Sequence, residues 1–417
     1  MGTLRSLKHR NFRILFSANL VSNIGGWAQI AAEGWLILEL TGSGAYLGLI
    51  IGIRFLPTLF FGMSGGKIAD KFNKRKVLMI TNTVMALSAF SVGVLAVLDS
   101  IHIWQVAFFA FTLGLANAVD GPTFQSFIGE LVDREDLPNA VGLNSANVNG
   151  ARLIGPGLSG FLIATYGTGY SFIFNSFSYL VVVIALLFLR ERELFLDVTE
   201  RSSTRIRQAI EYIKYRPDLL SVLITVFFMA TFGLNFNIFN AMMATEIFDA
   251  DAAAFGALGS ILAIGTLTGA LITARLAKRR EPIFVMRTAM IFSIFLMLAS
   301  QAPSYKLYAI LLPIAGCFAI VTNISANTLM QVRTDTEIRG RVMGIYLTAF
   351  LGGTPLMSPL IGFLTQSIGT RNTMLICGGI SFLAAIATSI VFRGKGNAPM
   401  SFAVEDVLQT TYDDKKN

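Results

Sequence analysis

Gly66-Lys-Ile-Ala-Asp70-Lys71-Phe-Asn73-Lys74-Arg75-Lys-Val-Leu78 places five cations within thirteen residues, between the long apolar runs 45–66 and 77–98. A helix of about 20 apolar residues spans the hydrocarbon core of a bilayer. The two runs therefore read as consecutive membrane helices, and the charged stretch between them as a turn that stays in water. Working outward, ten further runs have the same character: 14–39, 103–125, 140–165, 171–189, 218–242, 254–275, 284–302, 307–330, 342–366 and 372–392. Twelve spans are expected.

Composition agrees. Hydrophobic residues make up 54% of the 417 and charged residues 14%, where a soluble domain carries about 25% charged. The net charge of +8 is not a nucleic-acid footprint, because the cations sit in short connections without interleaved aromatics. With the amino terminus inside, inner segments hold 29 of the 33 Lys and Arg, a bias that puts both termini in the cytoplasm. Only Lys306 and Arg371 fall outside, and Arg54 and Arg152 lie within spans. Cys317 and Cys377 lie inside apolar runs and form no disulfide framework. No metal-ligand cluster, nucleophile elbow or phosphate loop is present, so neither an enzyme nor a cofactor is expected.

The longest polar stretch separates six spans from six. The expected organisation is an amino-terminal bundle over 1–190, a cytoplasmic linker over 191–217, a second bundle over 218–393 and a tail over 394–417. Within the linker, Ile206, Ala209, Ile210 and Ile213 have helical spacing, which predicts an amphipathic helix on the inner membrane surface. The halves also repeat. A shift of 202 residues brings Asp133 onto Asp335, Glu135 onto Glu337, Gly160-Phe161-Leu162 onto Gly362-Phe363-Leu364 and Gly167-Thr168 onto Gly369-Thr370. Parallel repeats of six helices are one transporter plan, with the cargo site between them at mid-membrane.

The 66–78 stretch resembles, position by position, the signature loop G-x-L-A-D-R-x-G-R-K-x-x-L of the major facilitator superfamily. Asn73 stands where the signature has its second Gly, and Asn tolerates a left-handed backbone. The resemblance implies a gating motif of Gly66, Asp70, Lys71, Lys74 and Arg75, with Asp70 near the start of the eleventh helix around Gly340–Gly344. The second-half counterpart, Gly269 to Arg280, has no Asp, so one latch is expected. In the fifth span, Arg152, Gly155, Pro156 and Gly160 look like the glycine–proline motif of exporting members; ordinary packing is the other reading. A wider likeness runs through Ser22-Asn-Ile-Gly25 with Trp27, Leu40-Thr-Gly-Ser43, Asp120-Gly-Pro-Thr123 and Leu137-Pro-Asn-Ala140. It is similar to the subfamily holding the enterobactin exporter and related drug-efflux proteins, which implies proton-driven efflux of siderophores or amphiphilic drugs from a bacterial inner membrane.

A charge at mid-membrane costs at least about 2.5–3.5 kcal/mol and marks a functional hypothesis. Glu33 lies roughly 9 Å and Arg54 roughly 14 Å inside their antiparallel spans. They are expected to pair, either as a proton-coupling site or as a static brace. Asp120 and Arg152 face the inner half of the first bundle, and Asp120 has the Lys71–Lys74 cluster as an alternative partner. Uncharged polar residues also recur in spans: Asn23, Gln29, Asn144, Asn147, Asn235, Asn237, Asn240, Asn323, Asn327 and Gln331. They read as a substrate cavity or as hydrogen bonds between helices. The expected partners are a small-molecule substrate, protons and the lipid bilayer, in a monomer with no nucleic acid. An importer of a siderophore or lipid-like cargo, and a transport-inactive sensor or assembly partner, are the competing functions.

Overall fold

The computed structural model describes residues 4–195, 206–275 and 281–392, except for the side chains of 62–67, 69, 70 and 206. The tail and the first part of the linker lie outside the described residues. Every regular element described is a helix. Six long helices come first: α1 (Arg10–Thr41), α2 (Gly44–Lys71), α3 (Lys74–Val97), α4 (Ile103–Leu131), α5 (Leu137–Tyr166) and α6 (Thr168–Leu187). The short α7 (Ile206–Lys214) follows. Then come α8 (Pro217–Phe228), α9 (Phe236–Met242), α10 (Ala252–Arg275), α11 (Pro282–Ser300), α12 (Tyr305–Val332), α13 (Arg339–Gly352), α14 (Thr354–Ile368) and α15 (Thr370–Val391).

Among the described residues, ten helical segments are long and apolar enough to cross a membrane. They include the interrupted segments 217–247 and 339–368. Helices α1 and α5 are 32 and 30 residues long, but Asn19, Asn23 and Gln29 in the first, and Asn144, Asn147 and Arg152 in the second, dilute their apolar surface. The run read as a continuous seventh span is broken. Five-residue π-helical turns occupy Met229–Gly233 and Met243–Ile247, and Asn235 donates to the Thr231 and Phe232 carbonyls at the first break, at 2.8 and 3.1 Å.

The chain folds into two compact units. Among the described residues, the first comprises 4–195, 236–263 and 355–370; the second comprises 206–235, 264–275, 281–354 and 371–392. In the first unit α2 packs on α4, α3 on α6 and α4, and α1 on α5 and α6. In the second, α11 packs on α12 and both meet α8. The repeat is visible locally. Asp133 accepts the amides of Asp136 and Leu137 through its carbonyl at 3.2 and 3.1 Å, and Asp335 accepts those of Ile338 and Arg339 at 3.2 and 3.0 Å. Each turn opens a helix. Gly167 and Gly369 both adopt positive φ, 100° and 85°, a backbone that glycine reaches without a Cβ penalty.

Two expectations are corrected. Asn73 is not left-handed: it caps α3 from an extended backbone at φ −60°, its Oδ1 accepting from the Lys76 amide at 3.1 Å. The site needs a side-chain acceptor for an orphan helix N–H, which Asn supplies and Gly cannot. The linker helix α7 does form, but its apolar face is turned to protein. Ala209, Tyr212 and Ile213 are buried in a core with Leu219, Val222, Val342 and Tyr346, while Ile210 is 54% exposed.

Candidate functional site

The first unit places its costly charges in a polar interior. Glu33 comes from α1 and Arg54 from α2, one turn of chain apart across Gly42 and Ser43. Gly42 ends α1 in the left-handed conformation and Ser43 caps α2, which reverses the chain and sets the helices antiparallel. Arg54 Nη1 donates to Glu33 Oε2 at 2.6 Å, with side-chain exposures of 16% and 8%. The expected pair is therefore present and almost dry. Gly114 on α4 fixes its position: a Cβ there would crowd the Arg54 carbonyl, with the carbonyl carbon only 3.0 Å away.

The same unit holds further polar contacts that sequence reading did not connect. Asn175 on α6 donates to Gln29 Oε1 at 2.5 Å and accepts from Ser178 at 2.7 Å. Asn23 donates to Asn147 Oδ1 at 3.2 Å, and Asn147 in turn to the Phe16 carbonyl at 3.2 Å. Asp120 does not join the Lys71–Lys74 cluster. Its Oδ1 accepts from Thr81 at 2.5 Å and Asn82 at 2.9 Å, because α3 turns those two side chains toward α4 while Lys74 goes to Glu130. Arg152 lies over the Trp27 ring at 4.8 Å, a cation–π geometry. Polar residues inside apolar spans were the available signal for Asn82 and Asn175.

The motif loop ties helix ends together. Lys74 pairs with Glu130 on α4. Arg75 donates to the Leu186 and Leu187 carbonyls at the end of α6, at 2.7 and 3.0 Å, and to Glu191 at 2.9 Å. Lys71 lies over the ring of Phe72. The side chains of Gly66 and Asp70 lie outside the described residues. At the same end Asp136, fully buried, receives Arg5, Lys8 and His9 at 2.6, 2.7 and 2.8 Å. The hydrogen bond from Lys8, followed by those of His9 and the charge of Arg5, holds its carboxyl below the usual carboxylate range. His9, Asp133 and Asp136 are close enough to share a metal ion, but the ammonium and guanidinium groups already neutralise Asp136.

The glycine–proline motif makes close helix contacts. A Cβ on Gly155 would lie 2.8 Å from the Ile24 carbonyl on α1. Pro156 and Gly160 sit against Gly256 and Gly259 of α10, and Gly157 N–H donates to Ser260 at 3.1 Å. Of the remaining polar residues, Asn235 and Asn240 are buried, while Asn144, Asn323 and Asn327 are half-buried and Asn237 and Gln331 exposed. Gln331 donates to Asn327 Oδ1 at 2.6 Å, so these two share a helix face as their spacing implies.

The bundle of long apolar helices has the fold of solved transporters. A bacterial homologue of the human lysosomal transporter Spinster, inward-facing and unoccupied, superposes with a TM-score of 0.74 at 15% identity, covering 92% of this chain and 96% of that one. A D-xylose–proton symporter gives 0.69 at 15% identity, with 94% and 99% covered. Residues 1–402 match the family of transmembrane secretion effectors, and the chain belongs to that family of the superfamily. It is 23% identical over 385 residues to the staphyloferrin A transporter of Staphylococcus aureus, covering 91% of this chain and 95% of the relative. It is 27% identical over 376 residues to the multidrug efflux pump Tap of Mycolicibacterium fortuitum, covering 87% and 90%. The protein is thus a multi-pass membrane transporter and not an enzyme.

Proposed function

We propose that this chain exports a siderophore or an amphiphilic drug-like molecule from a bacterial cell by exchange for protons, with Glu33 as the proton site and Arg54 as its counter-charge. The observation that carries this is the ion pair itself. A carboxylate and a guanidinium this far from water are hard to keep ionised without each other. Protonating Glu33 releases Arg54 and neutralises the carboxylate, and a cationic or hydrogen-bond-donating cargo group that takes the Glu33 carboxylate favours release of the proton. Binding and protonation then compete at one place. The names of the staphyloferrin A transporter and of Tap support the cargo class.

In this reading α1 and α5 complete twelve spans, arranged as bundles over 1–190 and 218–393. The chain works as a monomer in the inner membrane with both termini cytoplasmic. Asn23, Gln29, Asn144, Asn147, Asn235, Asn237, Asn240, Asn323, Asn327 and Gln331 contribute cargo contacts or hold their helices for it. Gly66, Asp70, Lys71, Lys74, Arg75 and Asp120 act at the inner gate, and Arg152, Gly155, Pro156 and Gly160 set the α5 seam. Everted vesicles test the direction of transport. Cargo should accumulate inside them when they are acidified and leave when the gradient is collapsed; accumulation that ignores the gradient contradicts the proposal.

A further inference from the structure

One void in the first unit is bordered by the proton site. It has a volume of about 10 Å³ and is lined by Gln29, Glu33 and Ser88 among apolar side chains that include Val106, Leu113 and Phe172. Such a volume accommodates one water molecule, which needs two to four polar partners to reside stably.

The hydrogen bonds around the void assign a role to each polar atom. Gln29 Oε1 is occupied by Asn175, which leaves its Nε2 as a donor. Ser88 Oγ spends its proton on the Val84 carbonyl at 2.8 Å, which leaves its oxygen as an acceptor. Glu33 Oε2 is taken by Arg54, which leaves Oε1 as an acceptor. The three residues, Gln29, Ser88 and Glu33, are 4%, 5% and 6% exposed. The lining thus offers one donor and two acceptors, the partner set of a single water.

From this we infer that the void is a one-water site that carries the proton to and from Glu33 Oε1, and that it excludes a metal cation. The inference rests on Glu33 being the proton site. A sodium ion in the same place would be offered two oxygens, an amide N–H₂ donor and a carboxylate already paired with the Arg54 guanidinium. Water satisfies all three partners. The transfer is balanced: the water accepts a hydrogen bond from Gln29, donates to Ser88 Oγ and Glu33 Oε1, and passes one proton to Oε1 as it takes another from a hydronium that solvent delivers when the bundle opens, which leaves as water; release runs the same steps backwards.

A high-resolution structure of the purified protein, together with infrared difference spectra of the protonated Glu33 carbonyl, tests this; Glu33→Gln identifies the band. An ordered water in the void is expected. Ser88→Val, which fills the void, and Gln29→Leu, which removes the donor, should each shift the band toward the frequency of an unbonded carboxylic acid and slow proton-driven flux about tenfold, the effect of one lost hydrogen bond. A void without water density, an unshifted band in both variants, or a band that responds to sodium overturns the site. If Glu33→Gln transports with normal coupling, the proton reading fails, whereas the water density judges the site independently.

Discussion

Gly48 of α2 meets Gly362 of α14 backbone to backbone: a Cβ on Gly48 would stand 3.0 Å from the Gly362 Cα and closer still to the Ser358 carbonyl. Gly160 of α5 meets Gly256 of α10 in the same way, with 3.1 Å to the Cα. Gly160 and Gly362 are repeat mates at a separation of 202. The first unit thus contains two equivalent glycine seams. Around them Gln366 donates to Ser43 at 2.7 Å, Glu39 accepts from Thr168 at 2.6 Å and Glu246 from Thr370 at 2.7 Å. Small residues let helices approach closely in lipid, and in the proposed alternating-access cycle these seams part.

A side chain at either seam should hold it open. Overpacking a tight contact costs about 1–3 kcal/mol, which at ~1.4 kcal/mol per tenfold shifts the population by about fivefold to a hundredfold. Gly48→Val and Gly160→Val are therefore expected to raise thiol labelling of a cysteine placed at Ser43, in a background lacking Cys317 and Cys377. Labelling equal to the parent would show that the seams do not limit opening.

Breaking the ion pair from one side leaves a buried charge unpaired, a loss of about 3–5 kcal/mol. Arg54→Met should lower thermal stability at neutral pH. The double variant Glu33→Gln, Arg54→Met should recover most of it, since no lone charge is left. Recovery is the informative result; a double variant as unstable as the single one would mean that Arg54 contributes by packing.

Asp136 sets an acid limit. Its folded-state carboxyl is held below the ordinary range by Lys8, then His9 and Arg5. A depressed pKa contributes stability that is complete above the unfolded value of about 3.9 and is lost as pH falls through the folded value. Wild-type protein should therefore lose more stability between neutral pH and pH 3 than Asp136→Asn does. Parallel pH curves for the two proteins would place the acid sensitivity elsewhere.

Arg216 anchors α7 in the second unit. It makes a two-pronged contact with Asp218 at 3.0 and 2.9 Å and donates to Tyr212 OH at 3.0 Å, while Tyr212 OH donates to Asp335 at 3.1 Å. Hydrogen bonds to Asp218 hold the Arg216 guanidinium firmly charged, above its usual pKa. Lysine cannot reproduce the fork. Arg216→Lys is expected to speed tryptic cleavage after Arg207 and Lys214, and an unchanged rate would show that the Ala209–Tyr212–Ile213 face alone secures the helix.

Much of this arrangement is legible before any coordinates. Each of the twelve apolar runs proves helical over most of its length, because hydropathy over about 20 residues reports a requirement of the bilayer itself. The Glu33–Arg54 pair is legible for the same reason: two opposite charges at similar depth on connected helices have few other partners. What stays hidden is tertiary choice. Hydropathy does not say that Asp120 will take Thr81 and Asn82 rather than a lysine, nor that α7 will bury Tyr212 in protein instead of lying on lipid. The π-helical turns on either side of Asn235 and the interruption at Gly353, against which Thr231 packs, are backbone details that an apolar run does not encode.

Proton movement measured together with drug movement tests the central claim most directly. Everted vesicles carrying equal amounts of wild-type or Glu33→Gln protein are acidified inside, and ethidium uptake is followed alongside internal pH. Wild-type vesicles should take up ethidium while losing internal acid, and Glu33→Gln vesicles should do neither above the empty-vesicle level. Glu33→Gln vesicles that still exchange acid for ethidium at the wild-type ratio would contradict the assignment of the proton site.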